Sequence, residues 1–430
     1  MSKICTIGLG YIGLPTSAIF AQYGSEVVGV DISRDIVEQI NNGNLPIKEP
    51  GLEGLVKEVV SSGALRASIT PEEADVFIIA VPTPNLNDQY NSCDISYVLK
   101  ATTQIIPYLR PGNVVIIEST IAPRTMDDYI KPLIEKAGFK VGKDLFLVHC
   151  PERVLPGRIM HELVHNNRIV GGITPACAEA GERVYSLFVK GEIVRTDAKT
   201  AEMAKLMENT YRDVNIALAN ELAKVCHELN INVLDVIEMS NKHPRVNLHQ
   251  PGPGVGGHCL AVDPYFIVAK APELSRIIRL SRETNESMPE FVVDRVAELL
   301  IGVEKPVIAA LGITYKADVD DIRESPALDV ITLLMKAGYD VRIHDPNVHT
   351  PVYRMRSIEE AAKGAHMMLL LTDHKQFKSY DFDQIAQLME KPLLFDTRNC
   401  IPSADHGAME IINFGNMYER TKKKVNMISV

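Results

Sequence analysis

Residues 250–264 read QPGPGVGGHCLAVDP, in which four glycines and three prolines frame Cys259 and Asp263 follows shortly after. A cysteine thiolate is a strong nucleophile, and small neighbours let a substrate carbon approach it. The same surroundings also suit an inert, buried cysteine. A second group of residues weighs toward chemistry. Lys205, Asn209 and Arg212 are spaced i, i+4, i+7 and so share one helical face. That stripe is either a solvated edge or a surface that polarises an oxygen and holds a phosphate. Glu152, in HCPERVLPG, adds a carboxylate just after a strand end.

Gly8, Gly10 and Gly13 form G-x-G-x-x-G between an apolar run and a helical stretch. The first glycine permits a tight turn, the second lets the backbone approach a pyrophosphate, and the third allows close helix–strand packing. The helix N-terminus then offers free N–H groups and a positive dipole end. Asp31 ends the next strand, where a carboxylate binds a ribose diol and repels a 2′-phosphate, which favours NAD over NADP. Arg34 is a candidate for the adenosine and equally an exposed helix residue. Tyr11 packs over the cofactor or closes the loop. Thr83 (in Pro-Thr-Pro) and Thr120 (in Glu-Ser-Thr) stand at later strand ends, where cofactors bind in such sheets, though both types also cap helices.

These groups need a scaffold. KICTIG, EVVGVD, DVFIIAV, NVVIIES and LFLVHC read as buried strands alternating with helical stretches, the pattern of an α/β, doubly wound (Rossmann-like) domain over residues 1–196. Residues 199–229 contain neither Gly nor Pro and read as one long central helix. It opens a helical, dimerisation region at 197–303 that carries the cysteine loop. A second Rossmann-like domain is expected at 304–430, from VIAALGI, DVRIHDP, HMMLLLTD and PLLFDTR. Gly312 stands alone there, so only the first domain is built for a dinucleotide.

Composition narrows the partners. The net charge is −10 and no long basic stretch occurs, which argues against nucleic acid. Lys422 to Lys424 form a basic patch or a solvated tail. Seven cysteines without C-x-x-C argue against a disulfide framework or a metal site and for the reducing cytoplasm. Cys5 and Cys150 read as core. Glycines interrupt the N-terminal apolar run, against a signal peptide, and no run reaches the ~20 residues of a membrane span.

GLGYIGLP, PTP, EST, CPERVLPG, AEMAKLMENTYRDVNIA, HPRVN, GPGVGGHCLAVDP and GITYKADVDDIRESPA occur in this order along the whole chain. Together they resemble the UDP-glucose/GDP-mannose dehydrogenase family. Arg153-Val154 replaces the Phe-Leu typical of members acting on UDP-glucose, and HPRVN also resembles the branch acting on UDP-N-acetyl-D-mannosamine. The resemblance implies two NAD-dependent oxidations at C6 of a UDP-sugar. Cys259 would be the nucleophile, Lys205 the proton donor and acceptor, and Asn209 an oxyanion partner. Asp263 and Thr120 would position water, and Glu152 would assist thioester hydrolysis. NAD would meet Gly8, Gly10, Tyr11, Ile12, Gly13, Asp31, Arg34, Thr83, Thr120 and Arg323. The sugar nucleotide would meet Arg153, Val154, Lys205, Asn209, Arg212, His243, Arg245, Gly256, Tyr315, Lys316 and Arg398. His243 precedes a proline and alternatively caps a turn. The family also implies a homodimer whose neighbour lends an arginine, for which Arg245 is the candidate. Competing readings are a UDP-N-acetyl-D-glucosamine or UDP-glucose dehydrogenase, a one-step hydroxy-acid dehydrogenase, which needs no cysteine, and a sugar-nucleotide sensor without turnover.

Overall fold

The apolar runs become strands of two sheets in the computed structural model, which describes residues 2–47, 49–155, 157–402 and 407–420. The lysine run at 422–424 lies outside the described residues. The chain divides into two units. One holds the chain up to Glu208 together with Tyr265–Leu274; the other holds Asn209–Pro264 and the chain from Ser275 onward.

The first unit is built on β1 (Lys3–Ile7), β2 (Glu26–Val30), β3 (Leu65–Ser68), β4 (Val76–Ile79), β5 (Val114–Ile117), β6 (Phe146–His149), β7 (Arg168–Gly172) and β8 (Ile193–Asp197). Their order is β3-β2-β1-β4-β5-β6-β7-β8. Pairing is parallel as far as β6; β7 then runs antiparallel to β6, and β8 parallel to β7. The first six strands have the doubly wound order, whose switch point lies between β1 and β4. Successive side chains feed opposite faces. Ile4, Ile78, Ile116 and Val148 enter one core, and Cys5, Phe77, Val115 and Leu147 the other. Burial on both faces is why these strands are continuous apolar runs rather than alternating ones.

The second unit carries β9 (Val307–Leu311), β10 (Asp340–His344), β11 (Met367–Leu370), β12 (Leu393–Asp396) and β13 (Glu410–Asn413). They form a parallel sheet of order β10-β9-β11-β12-β13. The opening turn repeats that of the first unit. Gly8 (φ +96) donates its N–H to Val30 O over 2.8 Å; Gly312 (φ +82) donates to His344 O over 2.9 Å. Asp31 accepts from Leu9 N at 3.0 Å and Ser33 N at 2.9 Å, while Asp345 accepts from Ile313 N at 2.8 Å and Asn347 N at 2.9 Å. The copies then diverge. In the first unit a helix begins at Gly13; in the second the next helix is Pro326–Lys336, and the buried His374 imidazole lies 3.2 Å from Asp345 Oδ2. The protein's own ring thus occupies the acidic position that in the first unit stays half-exposed.

The long helix Ala198–Leu229 spans 32 residues, ~48 Å at 1.5 Å per residue. It ends where Asn230 turns left-handed (φ 59) and Ile231 N–H reaches back to Cys226 O over 2.8 Å, a terminus Asn tolerates better than most residues. Asn232 restarts the chain by capping Val233–Ser240. None of the helices among the described residues is long and apolar enough to cross a membrane.

Candidate active site

The glycine turn of the first unit separates two demands. A Cβ on Gly8 would stand 2.5 Å from the Ala80 carbonyl oxygen, and one on Gly13 would stand 1.8 Å from that of Gly8. The protein's own packing requires both. A Cβ on Gly10 would meet nothing within 4 Å, so the space over it is left for a ligand. Ile12 stands at the N-cap of Gly13–Gln22 with no capping side chain; Leu14 N–H bonds Gly10 O at 3.2 Å and Pro15 has no N–H, so this end offers a phosphate chiefly its positive dipole and the open backbone at Gly10. Tyr11 is part-exposed beside the turn. Asp31 keeps lone pairs for a ribose beyond the two backbone bonds it accepts. Arg34 is exposed at the start of Arg34–Asn41, which Ser33 caps. Thr83 donates its hydroxyl to Thr120 O over 2.6 Å, tying together the chain beyond β4 and β5. These residues fit NAD.

Beyond β6 lies Glu152. One carboxylate oxygen accepts from Arg153 N at 2.7 Å and the other from the Arg168 guanidinium at 2.7 Å. The Arg153 side chain extends to Glu208 (2.6 Å) and the Asn167 carbonyl, while Val154 packs against the core. Of the stripe on the long helix, Lys205 is buried, Asn209 half-buried and Arg212 exposed. Burial pushes the neighbouring His149 imidazole down to about 3, with the Lys205 charge adding to the effect. Its Nδ1 bonds Ile117 O at 2.9 Å, and burial outweighs that bond in favouring the neutral ring.

In the second unit the cysteine loop is pressed against the segment after β9. A Cβ at Gly256 would stand 2.0 Å from Glu324 O, and one at Gly257 (φ +86) would stand 2.6 Å from the Tyr315 ring. Larger residues would push the loop away. Gly257 N–H bonds Glu324 O at 3.1 Å, and His258 meets Asp321 at 3.4 Å. Arg323 grips the same Asp321 with two bonds. Although burial opposes ionisation, His258 and Arg323 hold the Asp321 carboxyl well below its ordinary value. Cys259 is the exposed one of the seven cysteines, whereas Cys5 and Cys150 are buried. Its carbonyl accepts from Asp263 N at 2.8 Å, which starts the helix Asp263–Lys270. Asn209 Nδ2 donates to Asp263 Oδ2 over 2.6 Å, and that carboxylate is buried. So Cys259 is exposed, one turn before a fixed acid.

The remaining substrate candidates are also in this unit. Arg398 ion-pairs with Asp373 at 3.1 Å, and its guanidinium lies where a Cβ on Gly252 would come within 2.7 Å of it. Tyr315 and Lys316 are half-buried. Arg245 is exposed and lines a surface depression with Tyr211 and Asn215. The His243 ring accepts from Arg245 N at 3.3 Å and so caps its own turn.

Residues 2–189 match the NAD binding domain of the UDP-glucose/GDP-mannose dehydrogenase family, 199–287 its central domain, and 309–403 its UDP binding domain. The chain belongs to that family. It is thus an NAD-dependent oxidoreductase of nucleotide sugars. It is 48% identical to a UDP-N-acetyl-D-mannosamine dehydrogenase of Methanococcus maripaludis over 93% of both chains. It is 46% identical to an NDP-N-acetyl-D-galactosaminuronic acid dehydrogenase of Ralstonia nicotianae, over 92% of this chain and 95% of that one. A solved UDP-N-acetyl-mannosamine dehydrogenase from S. aureus superposes with TM-score 0.92 at 56% identity, covering 97% of this chain and all of that one.

For a dehydrogenase of this family, sequence reading missed the buried polar groups that support the site. Arg168 carries Glu152 and Glu118 in the first unit. In the second, Asn220 Oδ1 accepts from Gly252 N at 2.9 Å at the start of the cysteine loop, while its Nδ2 donates to Asn285 Oδ1 at 2.9 Å. Asn285 and Arg282 both donate to Asp213. A usable signal existed: Asp213 and Asn220 are seven apart on the long helix and fall on one face, as Lys205, Asn209 and Arg212 do.

Proposed function

We propose that this chain oxidises C6 of UDP-N-acetyl-D-mannosamine to the uronate, using two NAD per sugar. The carrying observation is the exposed Cys259 thiol one turn before the buried, Asn209-bound Asp263. NAD, when bound over Gly10, supplies the acceptor for the two electrons and hydrogen released in each oxidation.

Lys205 takes the C6 hydroxyl proton as the alcohol becomes an aldehyde, with the Asn209 amide beside the oxygen. The Cys259 thiolate adds to the aldehyde carbon and the oxygen regains a proton from Lys205, giving a thiohemiacetal. The second oxidation removes the carbon-bound hydrogen and the hydroxyl proton, leaving a thioester. Water, positioned by Asp263 and Thr120 and assisted by Glu152, adds to the acyl carbon. The C–S bond breaks, and the thiol and a carboxylate are released. The covalent bond keeps a reactive aldehyde from escaping between the oxidations. Arg153, Arg212 and Arg398 suit the diphosphate, since guanidinium groups bind such oxygens in pairs.

Two further proposals accompany this. Tyr211, Leu218, Val225 and Leu229 leave an exposed apolar stripe on the long helix, which supports a homodimer. Seven cysteines with no C-x-x-C pattern support a cytoplasmic enzyme.

Side-by-side assay of UDP-N-acetyl-D-mannosamine, UDP-N-acetyl-D-glucosamine and UDP-glucose tests the reading. The expected result is two NADH per UDP-N-acetyl-D-mannosamine and slower turnover of the others. One NADH with a released aldehyde would overturn the double oxidation; a faster rate on another sugar would overturn the substrate.

A further inference from the structure

A buried charge cluster outside the glycine turn and the cysteine loop includes Glu152. Arg168, at the start of β7, is 4% exposed. One arm of its guanidinium lies 2.7 Å from Glu152 Oε2 and the other 3.5 Å from Glu118 Oε1. Its flat face rests on the Tyr185 ring, 4.4 Å from the centroid, and the Tyr185 hydroxyl donates to Glu118 Oε1 over 2.6 Å. Cys150 Sγ accepts from the same guanidinium at 3.7 Å. The partners come from three elements: Glu118 follows β5, Cys150 and Glu152 follow β6, and Tyr185 ends the helix Pro175–Tyr185. Burial pushes the Glu118 carboxyl up to about 7 against the pull of Arg168.

Burying a guanidinium among two carboxylates and a phenol is costly unless every group finds a partner. A structural pair would need only one carboxylate. Here the second carboxylate and the ring fix the arginine, and the arginine fixes Glu152. The Glu152 side chain then has both oxygens occupied, by Arg153 N–H and by Arg168, so its carboxylate plane has one orientation. A lysine could not reproduce this, because a point charge on a flexible stem has neither the planar fork nor the face that stacks on Tyr185.

We propose that Arg168 is a positioning residue for Glu152, and that Glu118 and Tyr185 act by holding Arg168. The inference rests on the reading that Glu152 assists hydrolysis of the Cys259 thioester. Arg168 then serves the last step of the reaction and neither oxidation.

Arg168→Lys and Tyr185→Phe test it in the full chain, with UDP-N-acetyl-D-mannosamine and NAD. Rapid mixing reads the NADH burst, steady-state rates give turnover and KM, and the mass of acid-quenched protein reads the adduct on Cys259. Arg168→Lys is expected to keep the burst, lose at least ~10-fold in steady turnover and accumulate the thioester, with kcat/KM for the sugar and for NAD changed by less than about twofold, so that both KM values fall with turnover. Tyr185→Phe is expected to shift the same quantities the same way by a smaller factor, and it decides the matter if Arg168→Lys does not fold. A merely structural role predicts a smaller burst amplitude, an unchanged turnover per active site and no adduct; that result overturns the proposal. Wild-type protein that makes one NADH and no adduct would instead overturn the thioester reading on which it rests.

Discussion

Asn209 Nδ2 and Asp263 Oδ2 lie 2.6 Å apart, joining the long helix to the first residue of Asp263–Lys270. Asp263 is 2% exposed, so its carboxylate would be expensive to bury alone. The helix N-terminus helps to hold it, as does the amide. Asp263→Ala leaves the Asn209 amide without its acceptor and is expected to cost ~1–3 kcal/mol of stability. Its turnover should fall at least ~100-fold while the folded protein still binds NAD. Thermal melts and steady-state rates check this. A variant retaining a tenth of wild-type turnover would remove Asp263 from the reaction.

Cys259→Ser makes the contrasting case. Cys259 is exposed, so its replacement leaves the core intact. The melting temperature is expected to stay within about 2 °C, consistent with surface substitutions near ±0.5 kcal/mol. The overall reaction should be lost, because an alkoxide is far harder to form than a thiolate. Residual turnover should stall at an early covalent or aldehyde stage. Chromatography of the products checks it, and uronate formed at the wild-type rate would refute the assignment.

Asp31 serves two purposes that one substitution pair can separate. Its carboxylate tethers Leu9 N and Ser33 N, and it offers remaining lone pairs to a ribose. Asp31→Asn keeps an acceptor for one tether but loses the charge that repels a 2′-phosphate. It is expected to raise the KM for NAD by about tenfold and narrow the preference over NADP. Asp31→Ala should add ~1 kcal/mol or more of instability from the unmet N–H groups. Coenzyme kinetics and melts on both variants distinguish these effects; an unchanged NAD-to-NADP ratio in both would show that the carboxylate does not face the ribose.

Much of this was legible in the sequence where a physical need writes a local pattern. Doubly buried strands become apolar runs, so β1, β2, β4, β5 and β6 and four strands of the second sheet are visible. Four strands were not. β3 (LRAS) alternates with exposed Arg66, β7 (RIVGG) ends in two glycines, β8 (IVRTD) has no buried residue, and β13 (EIIN) has two apolar residues between polar ends. The glycines of β7 are there because a Cβ on Gly171 would stand 2.5 Å from the Ala201 side chain and one on Gly172 2.2 Å from Ala178 N. For Gly171 that requirement comes from packing 30 residues along the chain, and neither glycine shows it in the local pattern. The same holds for the support of the site. Asp31 is readable from its distance to Gly13, whereas Arg168 meets Glu118 only because β5, β6 and β7 lie side by side. Asn220 reaches Gly252 across 32 residues of sequence.

His149 makes acid stability a test of the first unit. The buried ring is held down to about 3, first by burial and then by the Lys205 charge, against an ordinary value of 6.5. Between these values the unfolded chain binds a proton that the folded chain refuses, so stability rises with pH across that window. The neutral ring costs nothing above pH 6.5, and the penalty grows as pH falls toward 3. At pH 5 it amounts to ~2 kcal/mol, from 1.36 kcal/mol per unit. His227 in the second unit, pushed down to about 4 by burial and Arg295, acts in the same direction. His149→Asn keeps a donor for Ile117 O but cannot titrate. It is expected to be less stable than wild type at pH 7.5, because it leaves a cavity. Between pH 7.5 and 5, however, it should lose ~2 kcal/mol less than wild type does. Urea unfolding at the two pH values measures both differences, and equal losses in the two proteins would show that His149 takes up its proton in the folded state.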